Sequence, residues 1–122
     1  MKRTLILKKN YEFKNLFSKG KFYFGEYIHF YIIESNLSFN KFGIAISKKQ
    51  GKAVARNHIK RLIRENYKNF EDYIKLGTSI LVVINKNQNI KNINFKQIES
   101  NFYKTLKKAK ILENYDNKKS IY

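Results

Sequence analysis

Hydrolysis of a phosphodiester by a protein needs carboxylates clustered on a metal or a pair of histidines, and the spacing here offers neither. The nine acids, Glu12, Glu26, Glu34, Glu65, Glu71, Asp72, Glu99, Glu113 and Asp116, are scattered. Only Glu71 and Asp72 adjoin, and consecutive helical residues do not share a face, so that pair reads as a solvated helix end. His29 and His58 fall on separate elements, His29 as a wall of a sheet face and His58 on a solvent side. Gly51-Lys52 is followed by Ala53, where a phosphate-binding loop requires Ser or Thr. No Ser-His-Asp grouping is readable. The absence of cysteine excludes disulfides, thiolate metal sites and cysteine nucleophiles.

What the sequence concentrates is guanidinium. Four arginines stand among 22 lysines, and three of the four, Arg56, Arg61 and Arg64, fall within nine residues. A planar multi-donor group in a lysine-rich chain marks places where an ammonium cannot substitute. The net charge of +17 points to a polyanion, but it carries less information than its size implies. Lys, Ile and Asn supply 53 of the 122 residues, a bias toward AT-rich codons that inflates the lysine count. The competing reading of the arginines is an ordinary solvated basic face.

The elements that must position these residues follow from periodicity. Asn10–Phe17 predicts a short helix capped by Asn10, with Glu12 at its positive end, Phe13, Leu16 and Phe17 on one face, and Gly20 as its stop. Phe22–Ile33, rich in aromatic and β-branched residues, predicts one long or two short strands. Alternation sets Tyr27, His29, Tyr31 and Ile33 on one face, and Ile28, Phe30 and Ile32 on the other. A second strand is expected over Lys41–Ser47, a helix from about Ala53 to Phe70, and a strand covered on both faces at Ser79–Asn85. A last helix runs through Phe95, Ile98, Phe102, Leu106 and Ala109. The expected fold class is α+β, a single-domain α/β sandwich in the order α-β-β-(β)-α-β-α. It spans residues 1–122, with an ordered core over about 5–112 and a polar, frayed tail. The longest uncharged stretch, Leu76–Asn85, falls short of the ~18 residues of a membrane span. The only apolar residues between Lys2-Arg3 and Lys8-Lys9 are Leu5–Leu7, too few for a secretory signal, so a cytoplasmic protein is expected.

At about 100° per residue, Arg56, Lys60, Arg64, Asn57, Lys68 and Arg61 fill an arc of about 140°. Ala55, Leu62, Ile59, Phe70 and Ile63 fill the adjoining arc, with Tyr67 at the boundary. No acid lies between Ser35 and Arg64, so nothing in that stretch offsets Lys48, Lys49, Lys52 or the helix. The helix N-terminus adds free N–H groups that favour phosphate. Such a face suits a nucleic-acid backbone; a helix-turn-helix is disfavoured because a strand precedes this helix.

The run Ser47-Lys-Lys-Gln-Gly-Lys-Ala-Val-Ala-Arg-Asn-His-Ile-Lys-Arg-Leu-Ile-Arg64 resembles the protein subunits of bacterial ribonuclease P. Their hallmark is an Arg-Asn-x-x-Lys-Arg-x-x-Arg helix after a Ser-Lys-Lys-x-x-Gly-x-Ala-Val loop, and Arg56, Asn57, Lys60, Arg61 and Arg64 match it position for position. Leu7-Lys-Lys-Asn-x-x-Phe13-x-x-x-Phe17-x-x-Gly20 resembles the family's opening helix. The likeness covers roughly residues 3–110. His58 departs from it, standing where many relatives carry another arginine.

The resemblance implies a left-handed β-α-β crossover, against the usual preference, and a catalytic RNA that binds the magnesium ions activating water. It implies that Lys48, Lys49, Lys52, Arg56, Asn57, Lys60, Arg61 and Arg64 dock on that RNA. A cleft between the first helix and the sheet, with Phe13, Phe17 and Tyr31, would hold the single-stranded 5′ leader of precursor tRNA; aromatic faces stack on unpaired bases. Plain core packing is the alternative for these rings. No catalytic or metal-binding side chain is expected in the protein alone, and neither DNA nor a membrane is an expected partner. The alternative function is a structural RNA-binding protein, such as a ribosomal component, with no role in cleavage. An intrinsic protein nuclease is a third and weaker reading.

Overall fold

The computed structural model describes residues 2–115. Five strands, β1 (Thr4–Ile6), β2 (Lys21–Tyr23), β3 (Ile28–Glu34), β4 (Asn40–Ala45) and β5 (Thr78–Ile84), form one sheet in the order β1-β4-β5-β3-β2. β1 pairs with β4, and β4 with β5, in parallel; β3 runs antiparallel to β5 and to β2. Three helices complete the fold: α1 (Asn10–Lys19), α2 (Ala53–Phe70) and α3 (Phe95–Lys108). α2 is the crossover between the parallel neighbours β4 and β5.

Alternation along the strands divides the sheet's two faces. Ile80, Val82 and Ile84 of β5, with Ile28, Phe30 and Ile32 of β3, enter a large core shared with α2 and α3. Phe42 stacks on Tyr67 at 4.0 Å, and Phe30 meets Phe102 edge-on at 5.0 Å. At ~1.5–3 kcal/mol for each fully buried large side chain, this face holds the molecule together. The opposite face buries only Leu7, Leu16 and Leu81 beneath α1. Gly43 permits that cover, since a Cβ there would lie 2.7 Å from the Leu7 side chain. One short helix cannot cover five strands, so much of this face stays open.

Several expectations are corrected. The chain opens with β1, three residues whose strand character comes from pairing with β4 (Thr4 with Asn40, Ile6 with Phe42) rather than from local pattern. Asn10 does not cap α1; Lys9 occupies the cap position, and the Glu12 carboxylate accepts from the Lys8 and Lys9 N–H groups at 3.2 and 3.1 Å. Tyr27 precedes β3 and packs toward the α2/α3 core, because Asn101 Oδ1 holds its N–H at 2.9 Å. Glu71 is no solvated helix end: it is buried, accepting from Arg3 N and Thr4 Oγ1 and so fastening β1 to the end of α2. Tyr67, expected at the boundary of the helix, is fully buried beside this network, and burial pushes its phenol up to about 12. The expected fraying after Leu112 does not begin there, since Glu113 N donates to the Tyr73 carbonyl and Tyr115 packs on the core. The rest of the expected tail, 116–122, lies outside the described residues.

Candidate nucleic-acid interface

The open face of the sheet is built in rows by strand register. One row reads Gly43, Leu81, Tyr31, Phe22 across β4, β5, β3 and β2; the next reads Ala45, Val83, His29. Leu81 is buried, whereas Ala45, Val83, His29 and Tyr31 are half-buried and Phe22 is exposed. α1 lies along this surface. Its Leu16 points into the sheet, Phe13 packs half-buried beside it, and Phe17 stays 45% exposed, too open for a core residue. The Phe17 and Tyr31 rings meet edge-on with centroids 5.0 Å apart. Phe13 is therefore mainly a packing residue with one side open, while Phe17 and Tyr31 form a wall that solvent reaches.

This wall extends beyond the three rings picked from sequence. Phe22 lies 5.1 Å from Tyr31 and 5.2 Å from His29, and Phe24 lies 4.8 Å from His29. Phe22 and Phe24 alternate about Tyr23, which is the signal that could have revealed them. It acquires meaning only through the pairing of Phe22 with Tyr31. His29 Nδ1 accepts from Gly25 N at 3.0 Å, and burial lowers its pKa. The ring is thus neutral near pH 7, with its proton on Nε2.

The open face connects to α2 around the edge of the sheet. β1 pairs with β4 only as far as Phe42, leaving the outer edge of β4 uncovered from Gly43 onward. A cavity of about 150 Å³ is lined there by Phe13, Gly43 and Ile44 together with Lys60 and Arg64. The structure therefore brings two residues of the basic helix beside a ring of α1. It does not bring the remaining cations there. Arg61 lies on the outward side of α2, 3.4 Å from His58 Nδ1 and 4.0 Å from Glu65. Both members of that ion pair are at least half exposed, so it is worth at most ~1 kcal/mol and leaves Arg61 available. Arg56 is half-buried, whereas Asn57 and Arg64 are exposed.

Lys48 and Lys49, both exposed, ride on a short 3-10 turn (Lys48–Gln50) that follows β4 after Ile46 and Ser47. Ser47 Oγ accepts from Lys49 N, and Gln50 Oε1 accepts from Ser47 N, fixing the turn. Lys52 occupies the N-cap position of α2 without a side-chain cap, and no acid stands in the first turn. This end of the helix thus presents lysines and uncapped N–H groups together. Asn66, which the helical arc did not single out, is fully buried, its amide donating to the Leu62 and Phe95 carbonyls. Among the described residues no group of three or more His, Cys, Asp or Glu is placed to hold a metal ion.

The chain is similar to known proteins in both sequence and fold. Residues 1–110 match the sequence-family model described as Ribonuclease P. The chain is 38% identical over 108 residues to the ribonuclease P protein component of Fusobacterium nucleatum, covering 87% of this chain and 97% of that one. It is 36% identical over 106 residues to that of Clostridium botulinum, covering 86% and 94%. The solved RNase P protein of Staphylococcus aureus superposes with a TM-score of 0.76 at 33% identity, covering 88% of this chain and 97% of that one. That of Thermotoga maritima does so at 0.76 and 25% identity, covering 85% and 96%.

Proposed function

This chain belongs to the ribonuclease P protein family, and on that premise we propose how its two surfaces divide the work. A ribonuclease P protein component is part of an endoribonuclease complex for tRNA 5′ processing, and this chain is such a component. The reading as a structural RNA-binding protein without a role in cleavage is not favoured.

In the finer reading, Lys48, Lys49, Lys52, Arg56, Asn57, Lys60, Arg61 and Arg64 grip the phosphates of the catalytic RNA. Phe17 and Tyr31, with Phe13 behind them, take unpaired bases of the precursor's 5′ leader. Lys60 and Arg64, at the cavity beside Phe13, bridge the two surfaces and reduce phosphate repulsion where leader and catalytic RNA converge. The magnesium ions are held by the RNA. The protein favours their binding by lowering the cost of crowding phosphates together, and no protein side chain takes part in bond cleavage. The proposed site of action is the cytoplasm, together with the RNA partners of this reading.

The observation that carries this reading is the edge-on contact of exposed Phe17 with half-buried Tyr31 on the open face of the sheet. The test is a reconstituted complex with the cognate RNA, titrated with precursor and mature tRNA. Phe17→Ala and Tyr31→Ala are each expected to weaken precursor binding by ~1–3 kcal/mol, as for loss of one stacked base, and to leave mature tRNA unaffected. Equal losses for both substrates would assign the rings to folding.

A further inference from the structure

The aromatic surface does not end at Tyr31. From Phe17 the rings continue through Tyr31, Phe22 and His29 to Phe24, each pair of neighbours 4.8–5.2 Å apart. Phe22 and Phe24 are 47% and 71% exposed, although burial is what a phenylalanine ordinarily gains from folding. They are not exposed because the chain is loose there.

The segment carrying Phe24 is pinned atom by atom. Gly25 N donates to His29 Nδ1, and Asn85 Nδ2 donates to the Gly25 and Glu26 carbonyls at 3.2 and 3.0 Å. Gln88 Nε2 also donates to the Glu26 carbonyl, and Asn101 Oδ1 accepts from Tyr27 N and Ile28 N. Asn85 N donates to the Tyr27 carbonyl at 3.0 Å. Two buried asparagines, one from the end of β5 and one from α3, thus hold residues 25–28. Gly25 is required for this closeness, because a Cβ there would collide with the Ile28 carbonyl and the Asn101 amide. A loop fixed so thoroughly still turns Phe24 outward. A platform set before its partner arrives loses little entropy on binding.

We infer that Phe22, Phe24 and His29 form a second stacking platform that extends the hold on a single-stranded RNA leader beyond Phe17 and Tyr31. The inference rests on the leader reading above and goes beyond it in length and in residues. Three observations favour an unpaired RNA strand over a protein face as the occupant. The rings are continuous with the Phe17–Tyr31 pair. Exposed Lys19 closes α1 and is separated from β2 by Gly20 alone, a cation in the chain between Phe17 and Phe22; the next acid in sequence, Glu26, lies beyond Phe24. Finally, the His29 tautomer set by Gly25 N leaves Nε2–H with no partner among the described residues. A base edge supplies the acceptor it lacks.

The test uses the assembled complex and precursor tRNAs whose leaders have about two or about ten nucleotides, below and within the range of single-strand binding sites. Phe24→Ala is expected to weaken binding of the long-leader precursor by about fivefold or more, the effect of losing one stacked base. The short-leader precursor and mature tRNA should be unaffected. Phe24→Tyr should restore the long-leader affinity, since a phenol stacks as well as a phenyl. Equal affinity of Phe24→Ala and the unaltered protein for the long leader would overturn the inference. So would a loss that is the same for every leader length, which would place the rings at the RNA-subunit contact. Phe17→Ala, run alongside, separates the two ideas. If it weakens the long-leader precursor while Phe24→Ala does not, only the extension fails; if neither has an effect, the leader reading fails with it.

Discussion

The basic face of α2 and the aromatic face of the sheet are built by opposite means. The cations come from one contiguous run, most are exposed, and the one ion pair they make among the described residues, Arg61–Glu65, is weak. The rings come from α1, β2, β3 and the loop between those two strands, and they touch one another at fixed angles on a backbone held by buried asparagines. A charged helix of this kind acts through its field, which tolerates the movement of any one side chain. A ring surface of this kind acts through position. The two should therefore fail differently when altered.

The largest effect is expected from the field. Arg56→Gln, Lys60→Gln and Arg64→Gln combined keep the helix-forming stems and remove three cations. At ~1 kcal/mol or more per charge-assisted contact, affinity for the catalytic RNA should fall on the order of a hundredfold. The slope of log affinity against log salt should become shallower by roughly 0.7–0.9 per cation removed. Once saturating protein restores assembly, the preference for precursor over mature tRNA should be reduced by what Lys60 and Arg64 contribute at the shared cavity but not abolished. Complete loss of that preference would show that the two surfaces are not separable, most directly through Lys60 and Arg64 at the shared cavity.

Next in size is the ring surface, and here salt is the discriminating variable. The roughly fivefold or greater loss expected for Phe17→Ala or Tyr31→Ala should be nearly constant across a salt titration, because no phosphate contact is removed. A loss that shrinks as salt rises would mean these rings act by placing nearby lysines, which would collapse the contrast.

The same contrast explains what the sequence disclosed. α2 was legible in its bounds and exposed face because charge, apolar period and motif share one stretch of chain. β5 was legible because a strand covered on both faces is a continuous apolar run. β1 was not, since Thr4-Leu5-Ile6 is too short to show a period and becomes a strand only against Asn40–Phe42. The reach of the aromatic surface was hidden for a related reason. Phe22 and Phe24 look like ordinary strand residues until register sets Phe22 beside Tyr31. Buried asparagines at 40, 66, 85 and 101 were hidden by composition, being indistinguishable among fifteen asparagines in a chain biased toward that residue. Glu71 was misread because its partners, Arg3 and Thr4, lie at the other end of the chain.

A smaller effect tests whether the basic face is purely a field. Arg61→Lys keeps the charge, so the salt slope should not change. Loss of the fork-shaped donor set should nonetheless cost about 1 kcal/mol of affinity for the catalytic RNA. Arg56→Lys should behave alike. Affinities equal to the unaltered protein's would reduce the arginine cluster to bulk charge and sharpen the contrast with the rings.

The smallest effect is expected at Glu12, which caps the helix that carries Phe13 and Phe17 yet touches neither RNA surface. The Lys9 and Lys8 N–H groups donate to its carboxylate, with Lys41 Nζ 4.0 Å away, and these hold its pKa below the ordinary 4.5. Because the folded state binds this proton more weakly than the unfolded state, the cap stabilises fully above about pH 4.5 and is lost as pH falls through the lowered value. A Glu12→Gln variant keeps an acceptor for the N–H groups and loses only the charge at the helix N-terminus. Near a screened surface that charge is worth a few tenths of a kcal/mol, or about 1–2 °C in Tm. The gap from the unaltered protein should be present at pH 7 and close as pH falls through the lowered pKa, below which both side chains are neutral. Precursor-over-mature selectivity at pH 7 should not move, because Leu16 on Leu81 still seats the helix on the sheet. If selectivity falls together with Tm, then ring position depends on the charge of the cap, and the division between a surface acting by charge and one acting by position gives way at α1.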